Sequence, residues 1–303
     1  MTATDIRRFL MRVFVTGASG WIGSAVVPEL LGAGHEVLGL ARSGDSAASI
    51  AAAGAEVLRG DLDDLDTLRA GAAGSDGVIH LAFIHDFTDI EASVTADRRA
   101  IETMGGVLEG SGKPLVIASG TPALPGHVAT ERDESAPGSP VAGRMENARA
   151  ALGMAARGVR SSVVGLPRTV HGDGDRHGFI ARLVGIARDT GVSGYVGDGS
   201  NRWPAVHVLD AAYLFRLAVE RAPAGSRLHA VGDEGVPILD IAEVISRHLN
   251  VPTASVSAGD LGFLGQVLSI DQPASAALTR ELLGWRPVQP GLIEDMDKGH
   301  YFG

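Results

Sequence analysis

The stretch Arg12-Val13-Phe14-Val15-Thr16-Gly17-Ala18-Ser19-Gly20-Trp21-Ile22-Gly23 decides how the rest of the chain is read. Its first residues are apolar and β-prone, and they run straight into glycines at 17, 20 and 23. An amphipathic segment follows, with Ile22, Val26, Val27, Leu30 and Leu31 on one face. Strand, glycine turn and helix, in that order, suit a pyrophosphate. The turn needs φ > 0, the backbone must come close to the phosphates, and the helix N-terminus offers free N–H groups and a positive dipole end. A glycine triplet alone is weak evidence. Here a strand precedes it, a helix follows it, and a second strand over 36–40 arrives on schedule. The stretch reads as a dinucleotide site built from Gly17, Ser19, Gly20, Trp21, Ile22 and Gly23.

Outward from that turn, Glu36-Val37-Leu38-Gly39-Leu40 gives way to Ala41-Arg42-Ser43. Folds that prefer NAD carry an acid about 20 residues past the glycines, where it binds the ribose 2′-hydroxyl. Ala41 stands at that place. The Arg42 guanidinium can pair with a 2′-phosphate and stack on adenine, and the Ser43 hydroxyl can donate to the same phosphate. The pattern favours NADP(H) over NAD(H). Next, Glu56-Val57-Leu58-Arg59-Gly60-Asp61-Leu62 predicts a third strand and a polar turn. Asp61 there either reaches an adenine amino group or caps the helix that begins at Leu65. Gly77-Val78-Ile79-His80-Leu81-Ala82 is a near-continuous apolar run, the pattern of a strand covered on both faces.

These blocks together resemble the extended branch of the short-chain dehydrogenase/reductase superfamily. Two later segments add to the likeness: Trp203-Pro204-Ala205-Val206-His207-Val208-Leu209-Asp210, and Leu283-Gly284-Trp285-Arg286-Pro287. The likeness runs from Met11 to about Pro290. It implies an α/β fold, a Rossmann-type doubly wound parallel sheet with a smaller C-terminal α/β substrate lobe that closes over the substrate. On that basis residues 1–10 are a flexible extension, 11–172 the dinucleotide-binding domain and 173–303 the lobe, with 205–222 returning to the first domain. The resemblance also places Asp61, Leu62, Leu81, Ala82, Phe83 and Pro167 against the cofactor.

The same family usually carries a Tyr-x-x-x-Lys pair after the fifth strand, where tyrosine relays a proton and lysine holds the ribose. This chain has tyrosine only at 195, 213 and 301, and lysine only at 113 and 298, so it has no such pair. By alignment the two positions fall near Val141 and Met145. The companion hydroxyl position falls near Gly120, flanked by Ser119 and Thr121, either of which can hydrogen-bond a substrate carbonyl or cap a turn before Pro122. This is the pattern of the atypical members, which keep the cofactor cradle and lose the usual catalytic residues. Hydride transfer needs proximity and a polarised acceptor more than it needs a tyrosine. Candidate proton donors or carbonyl polarisers are His171, where relatives often have tyrosine, Arg144 and Glu146 at the vacated pair, and His85 and Asp86 past the fourth strand. His207 is expected to brace the lobe, and Asp210 to cap a helix.

Composition closes off other classes. The formal charge of −10 argues against nucleic acid and anionic membranes as partners. There is no cysteine, which excludes disulfides and thiolate chemistry and fits a cytoplasmic protein. No stretch approaches the ~20 apolar residues of a membrane span. The ten histidines show no His-x-x-x-His spacing, so no metal is expected, and no Gly-x-Ser-x-Gly elbow marks a hydrolase. The reading is a reductase of a carbonyl or imine on a small, largely apolar molecule, with a homodimer as the expected assembly. A non-catalytic NADP(H) sensor and an NAD-dependent epimerase or dehydratase are the alternatives.

Overall fold

The computed structural model describes residues 10–84, 89–124, 126–135 and 142–303. All but Leu10 of the expected N-terminal extension, and also His85, Asp86 and Val141, fall outside the described residues.

The chain opens β1 (Arg12–Thr16), α1 (Gly23–Gly32), β2 (Glu36–Ala41), α2 (Gly44–Ala52) and β3 (Glu56–Arg59). It continues α3 (Leu65–Ala73), β4 (Gly77–His80), α4 (Ile90–Val107), β5 (Pro114–Gly120), α5 (Ala142–Gly153) and β6 (Arg160–Leu166). Then come β7 (Thr169–His171), α6 (Phe179–Thr190), β8 (Ser193–Val196), β9 (Arg202–His207), α7 (Val208–Arg221) and β10 (Ser226–His229). The last elements are β11 (Asp233–Pro237), α8 (Ile238–Leu249), β12 (Thr253–Val256), α9 (Gly262–Leu268), α10 (Ala277–Leu283) and α11 (Leu292–Asp297).

Seven parallel strands form the central sheet in the order β10-β6-β5-β4-β1-β2-β3, the doubly wound topology expected from the sequence. Alternation along β1 shows how it is covered. Val13 and Val15 pack with Val26, Leu30 and Phe215 of α1 and α7, whereas Phe14 packs with Leu68, Ile101 and Met104 of α3 and α4. The strand order reverses at β1, so a crevice opens at the carboxyl ends of β1 and β4. A separate core holds the lobe together. Ile238, Ile241, Val244 and Ile245 of α8 pack there with Leu183, Trp203, Leu292 and Met296.

The structure moves four boundaries. β4 ends at His80, not Ala82, because the chain peels off there to pass over the glycine turn, with the Leu81 N–H donating to the Thr16 carbonyl at 3.2 Å. The pattern over 146–157 predicts a helix; α5 begins four residues earlier, at Ala142, and ends at Gly153, a 3-10 turn completing the run to Arg157. α7 starts before Asp210, which is therefore not its cap. His207 fills that role, its Nδ1 accepting from the Leu209 N–H at 3.2 Å. The Asp210 carboxylate instead takes the N–H groups of Val288 and Gln289 at 2.9 and 3.0 Å, docking the segment after Trp285. Finally, the return to the central sheet runs past 222 to include β10, whose polar Ser-Arg-Leu-His sequence carries no strand pattern. Among the described residues no helix is long and apolar enough to cross a membrane.

Candidate active site

The glycine turn is shaped by what it must avoid. Gly17 has φ +68°, and a Cβ there would stand 2.7 Å from the Ala82 nitrogen, so only glycine allows 81–82 to cross it. A Cβ at Gly23 would meet the Gly17 carbonyl oxygen at 2.1 Å, which fixes how closely α1 begins beneath the turn. No side chain caps α1 and its first turn carries no acid, so its positive end is left for an anion. Ser19 and Gly20 are exposed beside it. Trp21 is tied down, its indole N–H donating to the Val170 carbonyl at 2.9 Å, and Ile22 is half-buried at the helix start. Leu62 is buried, while Leu81, Ala82 and Phe83 are half-buried along the same crevice. These features fit the diphosphate of a dinucleotide.

At the carboxyl ends of β2 and β3, Ala41 is buried and Arg42 is exposed with no carboxylate partner among the described residues. The Ser43 hydroxyl caps α2, accepting from the Ser46 N–H at 3.1 Å. Sequence reading missed Arg59. The β2–β3 register pairs it with Ala41, and its guanidinium donates to the Ser43 carbonyl at 2.7 Å. Two cations thus flank the α2 start; only the strand register, invisible in a linear reading, brings the second there. Asp61 does not cap α3. Its Oδ1 takes the N–H groups of Asp63 and Asp64, and Asp64 is the cap, because its side chain lies one turn closer to Thr67.

On the other side of the glycine turn a buried polar chain runs from β1 to α5. The Ala82 N–H donates to Thr16 Oγ1 at 3.3 Å, and Thr16 Oγ1 lies 2.7 Å from His80 Nδ1. His80 Nε2 stands 3.1 Å from Asp97 Oδ1, and Asn147 Nδ2 donates to Asp97 Oδ2 at 2.7 Å. Burial pushes the Asp97 carboxyl up, but hydrogen bonds from His80 and Asn147 and the charges of His80 and Arg144 outweigh it and hold it below its ordinary value. An ionised Asp97 makes His80 Nε2 the donor, so in the neutral ring Nδ1 accepts from Thr16. The signal for Asp97 lay in α4, where a carboxylate interrupts the buried stripe Ser93, Ala96, Ala100, Ile101 and Met104.

Arg144 belongs to the same corner. Its Nη2 donates to the Ala118 carbonyl at 3.0 Å and its guanidinium sits 4.1 Å over the Phe83 ring. Burial lowers its pKa, opposed by the Asp97 charge. Met145, at the aligned lysine position, is buried in the core, and Glu146 is exposed. Ser119 and Thr121, at the end of β5, are both buried, and neither hydroxyl has a hydrogen-bond partner among the described residues. They do not cap a turn before Pro122. Pro167 is buried at the end of β6, beside Thr121, whose N–H donates to the Leu166 carbonyl at 2.9 Å.

His171 is not in this group. Its ring is fully buried, Nδ1 lies 2.9 Å from Asp295 Oδ2, and the ring stands edge-on to His207 at 5.4 Å. Asp295 also faces His300 at 3.6 Å and Lys298 at 3.4 Å. A proton donor must touch the substrate, and a sealed ring does not. The expectation is corrected: His171 ties β7 to the C-terminal helix α11. The likeness to relatives with tyrosine there does not show its partner, which lies 124 residues away.

Comparison with known proteins agrees with this geometry. The chain matches the NAD dependent epimerase/dehydratase family over residues 13–231. It is 47% identical to an uncharacterized protein of Schizosaccharomyces pombe, covering 96% of this chain and all of that one. It is 29% identical to a UDP-glucose 4-epimerase of Streptomyces lividans, covering 93% of each chain. A 4-hydroxy-2-methyl-3-oxo-4-farnesyl-3,4-dihydroquinoline-1-oxide ketoreductase of Stigmatella aurantiaca is 28% identical over 92% of this chain and 82% of its own. Among solved structures, MoeE5 in complex with UDP-glucose and NAD shares the fold, with a TM-score of 0.76, 23% identity and coverage of 95% and 97%.

Proposed function

The chain belongs to the NAD dependent epimerase/dehydratase family, and from that premise we propose an NADP(H)-dependent oxidoreductase that reduces a carbonyl or imine on a small molecule with a largely apolar body. The observation that carries this reading is the pair of buried, unpartnered hydroxyls of Ser119 and Thr121 at the end of β5, next to the Arg144 guanidinium. Buried hydroxyls without partners are unfavourable unless a ligand completes them. A bound reduced nicotinamide supplies a hydride. The two hydroxyls hydrogen-bond the substrate oxygen, polarise its carbon and hold the charge that develops on it. Arg144, fixed by Ala118 and Phe83, adds a positive potential at the same edge. Water delivers the one proton that completes the alcohol, since the sealed His171 does not reach it.

The cofactor choice rests on Arg42 and Arg59 around Ser43, and on Ala41 where an acid would favour NAD. The same feature weighs against an epimerase or dehydratase that retains NAD. The ketoreductase relative supports a reductase, though its substrate is its own. A dinucleotide sensor without turnover is the second reading, favoured by the lack of a Tyr-x-x-x-Lys pair in the sequence.

Titration with NADPH and NADH, followed by nicotinamide fluorescence, tests the cofactor. NADPH should bind at least about tenfold more tightly, and Arg42→Ala and Arg59→Ala should each reduce that advantage, weakening NADPH more than NADH. Equal binding of the two refutes the cofactor choice. A panel of ketones, aldehydes and imines then separates enzyme from sensor. Ser119→Ala combined with Thr121→Val should bind NADPH normally and lose turnover on the order of a hundredfold.

A further inference from the structure

Arg168 follows Pro167 in the turn between β6 and β7. Its Nη2 donates to Gln272 Oε1, and Gln272 Nε2 donates to the Thr121 carbonyl at 3.0 Å. The Gln272 N–H in turn donates to the Arg202 carbonyl at 3.0 Å, so the amide is pinned on both sides. Arg168 therefore lies beside Thr121, at the carboxyl edge of the central sheet where ligands bind in this topology. Its Nε–H is buried and has no partner, and no carboxylate pairs with it among the described residues. Burial pushes its pKa down to about 10, which leaves it charged at neutral pH.

Other part-buried arginines have more partners: Arg280, whose Nε also lacks one, bonds the carbonyls of Val231 and Gly232. Arg202 forms a two-pronged pair with Asp271, and Arg216 pairs with Glu29 and Glu220. Arg144 has the charge of Asp97 nearby. Arg160 bonds the carbonyls of Ala218, Val219 and Ala222, the negative end of α7. Arg168 has a single neutral amide. A desolvated cation without a counter-charge is unfavourable, and a guanidinium fork matches a carboxylate or phosphate.

We propose that Arg168 anchors an oxyanion of the substrate, a carboxylate or a phosphate monoester, so that the molecule reduced here has one anionic end on an otherwise apolar body. The carbonyl half of this statement rests on the reductase reading above; the anion site does not.

Calorimetric titration of the wild-type chain, Arg168→Met and Arg168→Lys, each with and without saturating NADP+, tests it. The probes are glyoxylate for the carboxylate, dihydroxyacetone phosphate for the phosphate, and butane-2,3-dione as a neutral carbonyl. The wild type should bind one of the two anions at least about tenfold more tightly than Arg168→Met, with Arg168→Lys in between and butane-2,3-dione unchanged. Which anion responds identifies the group. Identical titrations of wild type and Arg168→Met with both anions overturn the proposal. Thermal unfolding adds a control. Arg168→Met removes an unpaired buried charge, so it should unfold no earlier than wild type. A lower midpoint with unchanged anion titration would instead make Arg168 a structural bridge to Gln272. Absence of nicotinamide binding would remove the reductase reading, while the anion titrations without NADP+ would still decide for or against Arg168.

Discussion

Asp97→Ala removes the carboxylate at the centre of the buried chain from Thr16 to α5. It takes one hydrogen bond from His80 at 3.1 Å and one from Asn147 at 2.7 Å, and its charge stands near Arg144. His80, Asn147 and Asp97 are each less than 5% exposed, so water does not replace the lost partner. Breaking a buried charged pair costs about 3–5 kcal/mol. Asn147 keeps its second acceptor, the Val94 carbonyl at 2.9 Å, which places the loss near the lower end, about 3 kcal/mol. For a chain of this length each kcal/mol moves the unfolding midpoint by about 2 °C, so calorimetry should record a fall of about 6 °C. Asp97→Asn, which keeps the shape and one acceptor, should lose less. The pH dependence has a fixed sign. The carboxyl is held below its ordinary value in the fold, so its contribution is complete above the unfolded value and is lost as pH falls through the folded one. The gap between wild type and Asp97→Ala should therefore close in acid. A midpoint within about 1 °C of wild type at neutral pH, or a gap that widens as pH falls, refutes the reasoning.

Two further outcomes follow from the same contacts. Gly23→Ala puts a methyl group 2.1 Å from the Gly17 oxygen and 2.8 Å from Ala18 Cα, both backbone, and should cost about 1–3 kcal/mol with loss of NADPH affinity in the fluorescence titration. Gly32→Ala, at the far end of α1 with nothing within 4 Å, is the matched control and should do neither. Asp295→Asn should loosen α11 and destabilise the chain at neutral pH, with the difference fading in acid. Burial pushes that carboxyl up, but its bond and charge pairing with His171 and the charges of His300 and His207 bring it below its ordinary value. His171→Ala should unfold earlier in the same scan yet turn over substrate with an unchanged pH profile; a lost or shifted profile would restore the histidine as a proton donor.

How far the sequence could be read depends on the range of the interactions. The β1 turn was legible because its strand, glycines and helix lie within a dozen residues, although the crossing of 81–82 over Gly17 was not, and the apolar run at 77–82 gave a strand covered on both faces. α5 was read four residues short because its first turn is fixed from a distance: Arg144 by Ala118, Asn147 by Val94 and Asp97. Asp210 was read as a cap because an acid before an apolar run usually is one; its partners are the backbone of Val288 and Gln289. Arg59 and Arg168 were invisible for a further reason. Neither type nor spacing separates them from solvated surface arginines, and only the register with Ala41 and the bond to Gln272 give them places.

Those places bear on a problem that composition poses. A chain with a formal charge of −10 repels anions as a whole, yet a dinucleotide brings several negative charges to it. The attraction must be local, and along the carboxyl edge of the sheet it is. Arg42 and Arg59 stand at the ends of β2 and β3, the uncapped start of α1 lies below β1, Arg144 lies beside β5, and Arg168 follows β6. Arginines elsewhere, such as Arg216 and Arg202, are neutralised by acids, so they add little to the field at that edge. Burial limits screening at Arg144 and Arg168 more than at the exposed Arg42 and Arg59. On the proposed reading the exposed pair at β2 and β3 selects between dinucleotides. Arg144 then stands beside the hydroxyls that hold the substrate oxygen as it gains charge, where a fixed cation does most to lower a barrier, and Arg168 takes the substrate's anionic end.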